Sequence, residues 1–247
     1  MTSSGVHPGG RTSTPTPRPP ELVVIGAMKC GTSALHAHLD AHPEIAMARG
    51  KELNFFYGPG VPPPAPEHEW WRAGQRHRGV DWYLAQFDPH ARVRGESSPG
   101  YTDPSHPEVA ERMHALVPHA RLVYLVREPL ARAVSQWRHH VSDGAETRPA
   151  GAALLDVDSQ YAARSRYQER LAPFLRCFDR EQVLVVVQER LRSDPRRTMG
   201  RVLAHLGLDP DHWDPSFGAS VHVGTDVEAD LTRRHRLAFD ELVADDP

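Results

Sequence analysis

A glycine-bounded turn over residues 26–33 carries the residue types that bind an anion. Four apolar residues at 22–25 precede the turn and predict a short buried strand, and the segment that follows predicts a helix to about residue 41. In such a turn, glycines let successive backbone N–H groups point at one anion, and the positive end of the helix adds to the attraction. The pattern therefore predicts a phosphate-binding loop.

The loop departs from the GxxxxGK[ST] pattern of nucleoside-triphosphate loops. Gly26, Gly31 and Ser33 fit that pattern, but Thr32 occupies the lysine position and the lysine lies earlier, at Lys29. From there a lysine can reach across the mouth of the loop to the terminal group of a ligand, so a positive charge is still supplied.

The strand that would carry a magnesium-holding acid ends differently. The apolar run at 122–126 is followed by Arg127, where an Asp would be needed. A triphosphate without that acid is a poor ligand, and a less charged donor is favoured.

Lysine is rare in this chain, since Lys29 and Lys51 are the two lysines among 29 Lys and Arg residues. A lysine is a compact charge with a tunable pKa, which an arginine is not. Both lysines are therefore functional candidates, although two residues can also fall in one window by chance. Cys30, in the loop, is either a reactive thiol at a helix N-terminus or a small residue that fits the turn.

The composition predicts one globular domain. The chain has 247 residues, 39% hydrophobic content and a net charge of -3, and this balance argues against nucleic acid or an anionic membrane as a partner. Two cysteines suit a reducing cytoplasm. We expect a disordered leader over residues 1–20, a single domain over 21–247, no membrane span and no metal site, because no histidine pair has ligand spacing.

Strands alternate with helices along the chain, which predicts a three-layer α/β domain with a mostly parallel sheet. Two long loops, at 57–80 and 142–160, interrupt this alternation. Trp70 and Trp71 in the first loop either stack on an acceptor or are partly buried. Strands are predicted at 22–25, 45–48, from 92, at 122–126 and at 183–187, and helices at 33–41, 81–87, 105–117, 128–140, 161–178, 195–206 and 228–243.

The chain resembles sulfotransferases that use 3'-phosphoadenosine 5'-phosphosulfate (PAPS), in the branch of heparan-sulfate sulfotransferases and their small bacterial relatives. The motifs GAMKCGTSAL and LVREPLARAVSQW resemble the family's 5'-phosphosulfate loop and its 3'-phosphate motif. HPEI, KELNFF, DWYLAQF, GESSPGY, YQERLAPFLRCF, VLVVVQERL and LGLDP also follow in family order, so the likeness covers about residues 21–210.

The resemblance implies a role for each motif. Glu52 would be the general base, and Lys51 would support the charge pattern of the transition state. Lys29 would stabilise the leaving phosphate oxygen. The 5'-phosphate would lie on residues 30–33, that is Cys30, Gly31, Thr32 and Ser33, and Arg127 and Ser135 would hold the 3'-phosphate.

Departures from the family pattern concern the acceptor and the C-terminal loop. Asn54 stands where heparan-type members often have His, and Ser97 where they have Lys. With Tyr101, these residues would form uncharged contacts to a smaller or neutral acceptor. Basic residues that close over the 3'-phosphate have no clear match; Arg233 and Arg234 are candidates, and a solvated helix face is the alternative.

The primary hypothesis is a metal-independent transfer of a sulfuryl group from PAPS to a hydroxyl, rather than an amine, of a small metabolite, glycoside or saccharide. A small-molecule kinase with an altered loop, and a non-catalytic nucleotide-binding protein, are the alternatives. The acceptor and the oligomeric state are not encoded in any pattern of the sequence.

Overall fold

The computed structural model describes residues 18–218 and 227–244, apart from the side chain of Trp71. Most of the predicted leader therefore lies outside the described residues. In the described part, a parallel sheet of five strands has the order β2-β3-β1-β4-β5. Its strands are β1 (Leu22–Gly26), β2 (Ile45–Met47), β3 (Val93–Ser97), β4 (Arg121–Val126) and β5 (Val183–Val187).

Strand β1 lies at the centre of the sheet because its side chains are apolar on both faces. All five of its residues are buried, and it pairs in parallel with β3 and with β4. The register matches Val24 with Ser97 on one side and Gly26 with Tyr124 on the other. The carboxyl ends of the three strands therefore meet at one edge, as the sequence predicted.

The strand order also explains the layers. In this strand order, the connection from β1 to β2 leads toward the β2 edge of the sheet. The connections that leave β2, β3 and β4 all lead in the opposite direction, toward the β5 edge. Right-handed crossovers in opposite directions place helices on both faces, and the crevice where the direction reverses is the usual ligand site. The helices are α1 (Thr32–Asp40), α2 (Trp70–Ala73), α3 (Gly79–Leu84), α4 (Val109–Leu116), α5 (Pro129–Ser142), α6 (Ala150–Leu154), α7 (Gln160–Ala163), α8 (Tyr167–Cys177), α9 (Gln188–Ser193), α10 (Pro195–His205) and α11 (Arg233–Val243).

A second apolar cluster supports the helix that follows β4. Leu130 and Trp137 of α5 pack with Leu154 of α6, Tyr161 of α7 and Phe239 of α11. This cluster fixes the direction of α5 relative to the sheet. Within the described residues, no helix combines the length and apolarity that a bilayer crossing requires.

The helix predicted over 161–178 is in fact two helices, α7 and α8. The buried guanidinium of Arg132 donates to the carbonyl oxygen of Tyr161 at 2.6 Å and to the hydroxyl of Ser165 at 2.7 Å. Because that carbonyl is taken by a side chain, the helical ladder stops between Ala163 and Tyr167.

Other helix boundaries also differ from the expectations. Helix α11 begins at Arg233 rather than 228, because the hydroxyl of Thr232 accepts from the backbone of His235 and caps it. Helix α3 begins at Gly79, two residues before the expected cap at Asp81, and the short helix α9 was not predicted.

Gly74 closes the long loop at 57–80 through a backbone crossing. Its φ is +86°, and a Cβ there would lie 2.3 Å from the carbonyl oxygen of Tyr57. Gly144 has a φ of +72° but nothing within 4 Å of such a Cβ. Both glycines have a positive φ, but only Gly74 lies against fixed backbone.

Replacing Gly74 with Ala should lower the free energy of unfolding by roughly 3 kcal/mol, the sum of backbone strain and a clash with fixed backbone. The control Gly144→Ala should lose about 1 kcal/mol, since it adds strain alone. Urea denaturation measures both. Equal losses in the two variants would contradict the crossing.

Candidate functional site

The turn after β1 has the geometry of an anion-binding loop. Lys29 has a φ of 66°, and Gly31, with a φ of 89°, is the N-cap residue of α1. No side chain caps this end of the helix. The first-turn amides and the positive end of α1 therefore face the crevice at the carboxyl edge of the sheet.

Lys29 is half-buried, and burial lowers the pKa of its ammonium. The negative charges of Asp143 and Glu52 oppose that shift, whereas Lys51 adds to it. The ammonium of Lys29 is thus in electrostatic contact with both residues of the KE pair. Three charged groups predicted from separate motifs belong to one cleft.

Cys30 is fully buried, and its side chain points away from the mouth of the loop, toward Tyr167. Its Sγ is 3.5 Å from the hydroxyl of Tyr167, and burial raises the pKa of the thiol to about 11. The thiol is therefore protonated at neutral pH and inert, which answers the question left open by the sequence. The backbone N–H of Cys30 donates to the carbonyl oxygen of Ala27 at 3.2 Å, so it closes the turn instead of pointing freely at an anion.

Arg127 follows β4 and lies against the loop. Its Nη1 is 3.5 Å from the carbonyl oxygen of Lys29, and its backbone N–H donates to the hydroxyl of Tyr167 at 3.4 Å. The next residue, Glu128, caps α5 by accepting from the amides of Leu130 and Ala131. Ser135 is half-buried two turns along this helix.

Glu52 and Lys51 form an ion pair at the mouth of the cleft. Lys51 Nζ lies 2.7 Å from Glu52 Oε1, and the side chains are 27% and 31% exposed. The backbone N–H of Glu52 donates to the carbonyl oxygen of Ser97 at 2.9 Å, and this hydrogen bond attaches the pair to the end of β3. A carboxylate that is partly exposed and held beside two lysines can take a proton from a bound acceptor.

Three residues expected to contact the acceptor are buried. Ser97 is 0% exposed with its hydroxyl 3.1 Å from Nδ1 of His36, and Asn54 is 2% exposed. Tyr101 is 1% exposed, and its hydroxyl bonds to Glu96 and to a backbone amide. Because the polar atom of Tyr101 points into the interior, we do not retain it as an acceptor contact. Sequence spacing gave no sign of which way these side chains point.

Trp70 is fixed within its own loop. Its Nε1 donates to the carbonyl oxygen of Ala65 at 2.8 Å, and the guanidinium of Arg78 stacks 5.0 Å from its ring centroid. These contacts support the partly buried alternative for Trp70. The side chain of Trp71 lies outside the described residues.

Arg233 and Arg234 are exposed at the start of α11. That helix packs against α5, which carries Ser135, through Phe239 and Val243. The structure thus brings this helix close to the motif that was expected to bind the 3'-phosphate, but it gives neither arginine a contact there.

Two residues at the cleft, Arg164 and His36, were not predicted from the sequence. Arg164 forms an ion pair with Asp103 and its Nη1 lies 3.3 Å from Sδ of Met28, beside the loop. His36 lies four residues after Thr32, on the same face of α1, and this spacing could have indicated that it faces the cleft. Over the described ranges, no group of three His, Cys, Asp or Glu side chains is arranged to hold a metal.

Comparisons with known proteins match most of the chain. A profile described as "Sulfotransferase family" matches residues 20–215. The human heparan sulfate glucosamine 3-O-sulfotransferase 6 is 31% identical over 222 residues, covering 83% of this chain and 59% of the relative. The Drosophila melanogaster bifunctional heparan sulfate N-deacetylase/N-sulfotransferase is 27% identical, covering 77% of this chain and 20% of the relative. The chain thus spans only part of these curated relatives.

Solved structures agree with this match. The sulfotransferase from Alicyclobacillus acidocaldarius superposes with a TM-score of 0.72 at 25% identity, covering 93% of this chain and 98% of that one. A mouse sulfotransferase complexed with PAP superposes with a TM-score of 0.55 at 15% identity, which shows the fold alone. The profile match spans well over half of the chain, and the chain therefore belongs to the sulfotransferase family, a family of transferase enzymes.

Proposed function

We propose that the protein transfers a sulfuryl group from PAPS to a hydroxyl of a small metabolite, glycoside or saccharide, with Glu52 as the general base. The observation that carries the proposal is the meeting of three motifs at one edge of the sheet. Lys29 lies in the loop, Arg127 contacts the backbone of Lys29, and the Lys51–Glu52 pair faces the same ammonium.

The chain's groups fit the two ends of the donor. The uncapped amides of Gly31, Thr32 and Ser33 form the cradle for the 5'-phosphate, and Cys30 supports it by closing the turn onto Ala27. Arg127 and Ser135 bind the 3'-phosphate, because both lie beyond the end of β4, on the far side of the loop from Glu52. Arg233 and Arg234 are candidates to approach the same phosphate from α11.

The chemical step uses groups on both sides of the cleft. PAPS supplies the sulfuryl group when bound. Glu52 accepts the proton of the acceptor hydroxyl while the acceptor oxygen bonds to sulfur and the bond from sulfur to the 5'-phosphate oxygen breaks. Lys29 compensates the charge that develops on that leaving oxygen, and Lys51 holds the carboxylate in place at 2.7 Å.

A neutral acceptor fits the charges of the cleft. Lys51 is paired with Glu52, and Arg164 with Asp103, so these cations already have counter-charges. Ser97 stands where heparan-type members carry a lysine, and its hydroxyl is directed at His36. A small hydroxyl compound or a glycoside suits this site better than a polyanion, and two free cysteines suit the cytoplasm as its location.

A kinase is the rival within enzymes. Its magnesium would need a carboxylate directly after a strand beside β1, and those positions hold Ser98 and Arg127. This chemistry favours PAPS over a nucleoside triphosphate. A nucleotide-binding protein without catalysis would keep the loop but would not need Glu52.

A thermal-shift comparison tests which nucleotide the site binds. The ligands are 3'-phosphoadenosine 5'-phosphate (PAP), which remains when PAPS loses its sulfuryl group, ADP and ATP, each with and without magnesium. PAP should raise Tm without magnesium and more than either adenine nucleotide. A magnesium-dependent shift by ATP with none by PAP would establish the kinase instead.

Transfer from labelled PAPS to 4-nitrophenol or glucosamine then tests the reaction, and glucosamine offers both hydroxyls and an amine.

Replacing Arg127 with Ala should weaken PAP binding by about 1.5–3 kcal/mol, the scale of a charged hydrogen bond. Arg121→Ala is the matched control, because Arg121 begins the same strand at the opposite edge of the sheet and bonds to the carbonyl oxygen of Glu181. Isothermal titration measures both affinities. Equal weakening in the two variants would argue against a 3'-phosphate contact.

Replacing Glu52 with Gln should lower kcat by about 10²–10⁴-fold, because a general base is lost while the shape of the side chain is kept. Affinity for PAP should stay within about twofold, since the carboxylate lies outside the phosphate cradle. Stopped turnover assays and titration with PAP give the two numbers. Retained turnover would remove Glu52 from the mechanism, and PAP binding without any turnover by the unaltered protein would support the non-catalytic alternative.

A further inference from the structure

We propose that Glu96, buried beneath the cleft, is a positioning residue that holds the segment carrying Glu52 through two hydroxyl relays. The proposal rests on the proposed function, in which Glu52 is the base. Glu96 lies on β3, and its carboxylate bonds to the side chains of Tyr83, Ser98 and Tyr101 and not to the phosphate loop. Its effect would pass through Ser98 and Tyr101.

The carboxylate of Glu96 is 0% exposed and accepts from three hydroxyls. Tyr83 donates at 2.6 Å, Ser98 at 2.8 Å, and Tyr101 at 3.0 and 3.1 Å to the two oxygens. The groups that face it are these three side chains, and burial raises the pKa of Glu96 to about 7. An isolated carboxylate in an apolar core is costly, so its hydrogen bonds must satisfy it.

Two of the three hydroxyls extend the network to the base segment. A hydroxyl that gives its hydrogen to Glu96 presents its lone pairs elsewhere. The backbone N–H of Asn54 donates to Oγ of Ser98 at 3.1 Å, and that of Phe55 donates to the hydroxyl of Tyr101 at 3.1 Å. When it is ionised, the carboxyl of Glu96 only accepts, and in that form it fixes the direction of both relays.

The segment needs such an anchor because its backbone is strained. Glu52 has a φ of 64° and Asn54 a φ of 49°, and neither is glycine. Residues in this region persist only where surrounding bonds over-determine them. Gln75 supplies two more bonds, from its Nε2 to the carbonyl oxygen of Leu53 at 2.8 Å and from its backbone N–H to that of Asn54 at 2.9 Å.

Tyr83 provides a matched control. Its hydroxyl donates to Glu96 without accepting from a backbone amide of the base segment among the described residues, and its ring stacks on Phe55 at 4.4 Å between centroids. Tyr83→Phe keeps the stacking and removes one donor. Glu96→Gln keeps the size of the side chain but turns one acceptor oxygen into a donor that opposes a hydroxyl.

Amide hydrogen exchange tests the anchor without any need for an acceptor. In Glu96→Gln, the amides of Asn54 and Phe55 should exchange about tenfold faster or more, and in Ser98→Ala only that of Asn54 should do so. Tyr83→Phe should leave both within about twofold. Unchanged exchange in Glu96→Gln, or equal acceleration in all three variants, would overturn the inference.

Turnover gives the second readout. With 4-nitrophenol or glucosamine as acceptor, Glu96→Gln should lower kcat about tenfold or more while the Kd for PAP stays within about twofold, because only the base is displaced. A merely structural role would move Tm and both parameters together. Normal kcat in Glu96→Gln beside a severe loss in Glu52→Gln would remove this inference alone, whereas normal turnover in Glu52→Gln would remove the base and leave the exchange result standing.

Discussion

The parallel pairing of β1 with both β3 and β4 is the constraint on which the cleft depends. It sets the loop after Gly26, the turn after Ser97 and Arg127 at one edge of the sheet. These three segments are far apart in sequence, and the pairing of the strands brings them together in space. A shift of β3 by one residue would separate Arg94 from Glu21 and Glu96 from the hydroxyl of Tyr83, so its alignment is strongly specified.

Charge in the cleft is compensated before any ligand binds. Lys51 is paired with Glu52, Arg164 with Asp103, and the ammonium of Lys29 is influenced by carboxylates on two sides. Partial burial strengthens these interactions because the local dielectric is lower than that of water. A site with fixed charges spends little energy on reorganisation during transfer, and this favours a reaction in which charge moves from one oxygen to another.

The sequence allowed the strands, the loop and the order of the main helices to be predicted, because apolar runs and the glycine pattern are local signals. It did not reveal the break between α7 and α8, since Arg132 comes from another helix to take the carbonyl of Tyr161. For the same reason the orientations of Asn54 and Tyr101 were not predictable. A motif places a residue near a site, but whether its side chain faces the cleft or the core depends on partners far away in sequence.

The buried network around Glu96 separates two requirements that the cleft must meet. Under the proposed function Glu52 must be fixed, and bonds from the interior fix its segment through Ser98, Tyr101 and Gln75. The loop at 57–80 is held partly by its own contacts, such as the stacking of Arg78 on Trp70. Gln75 belongs to that loop and also bonds to the segment of Glu52, so under the proposed function only changes that leave Gln75 in place can alter the acceptor without moving the carboxylate of Glu52.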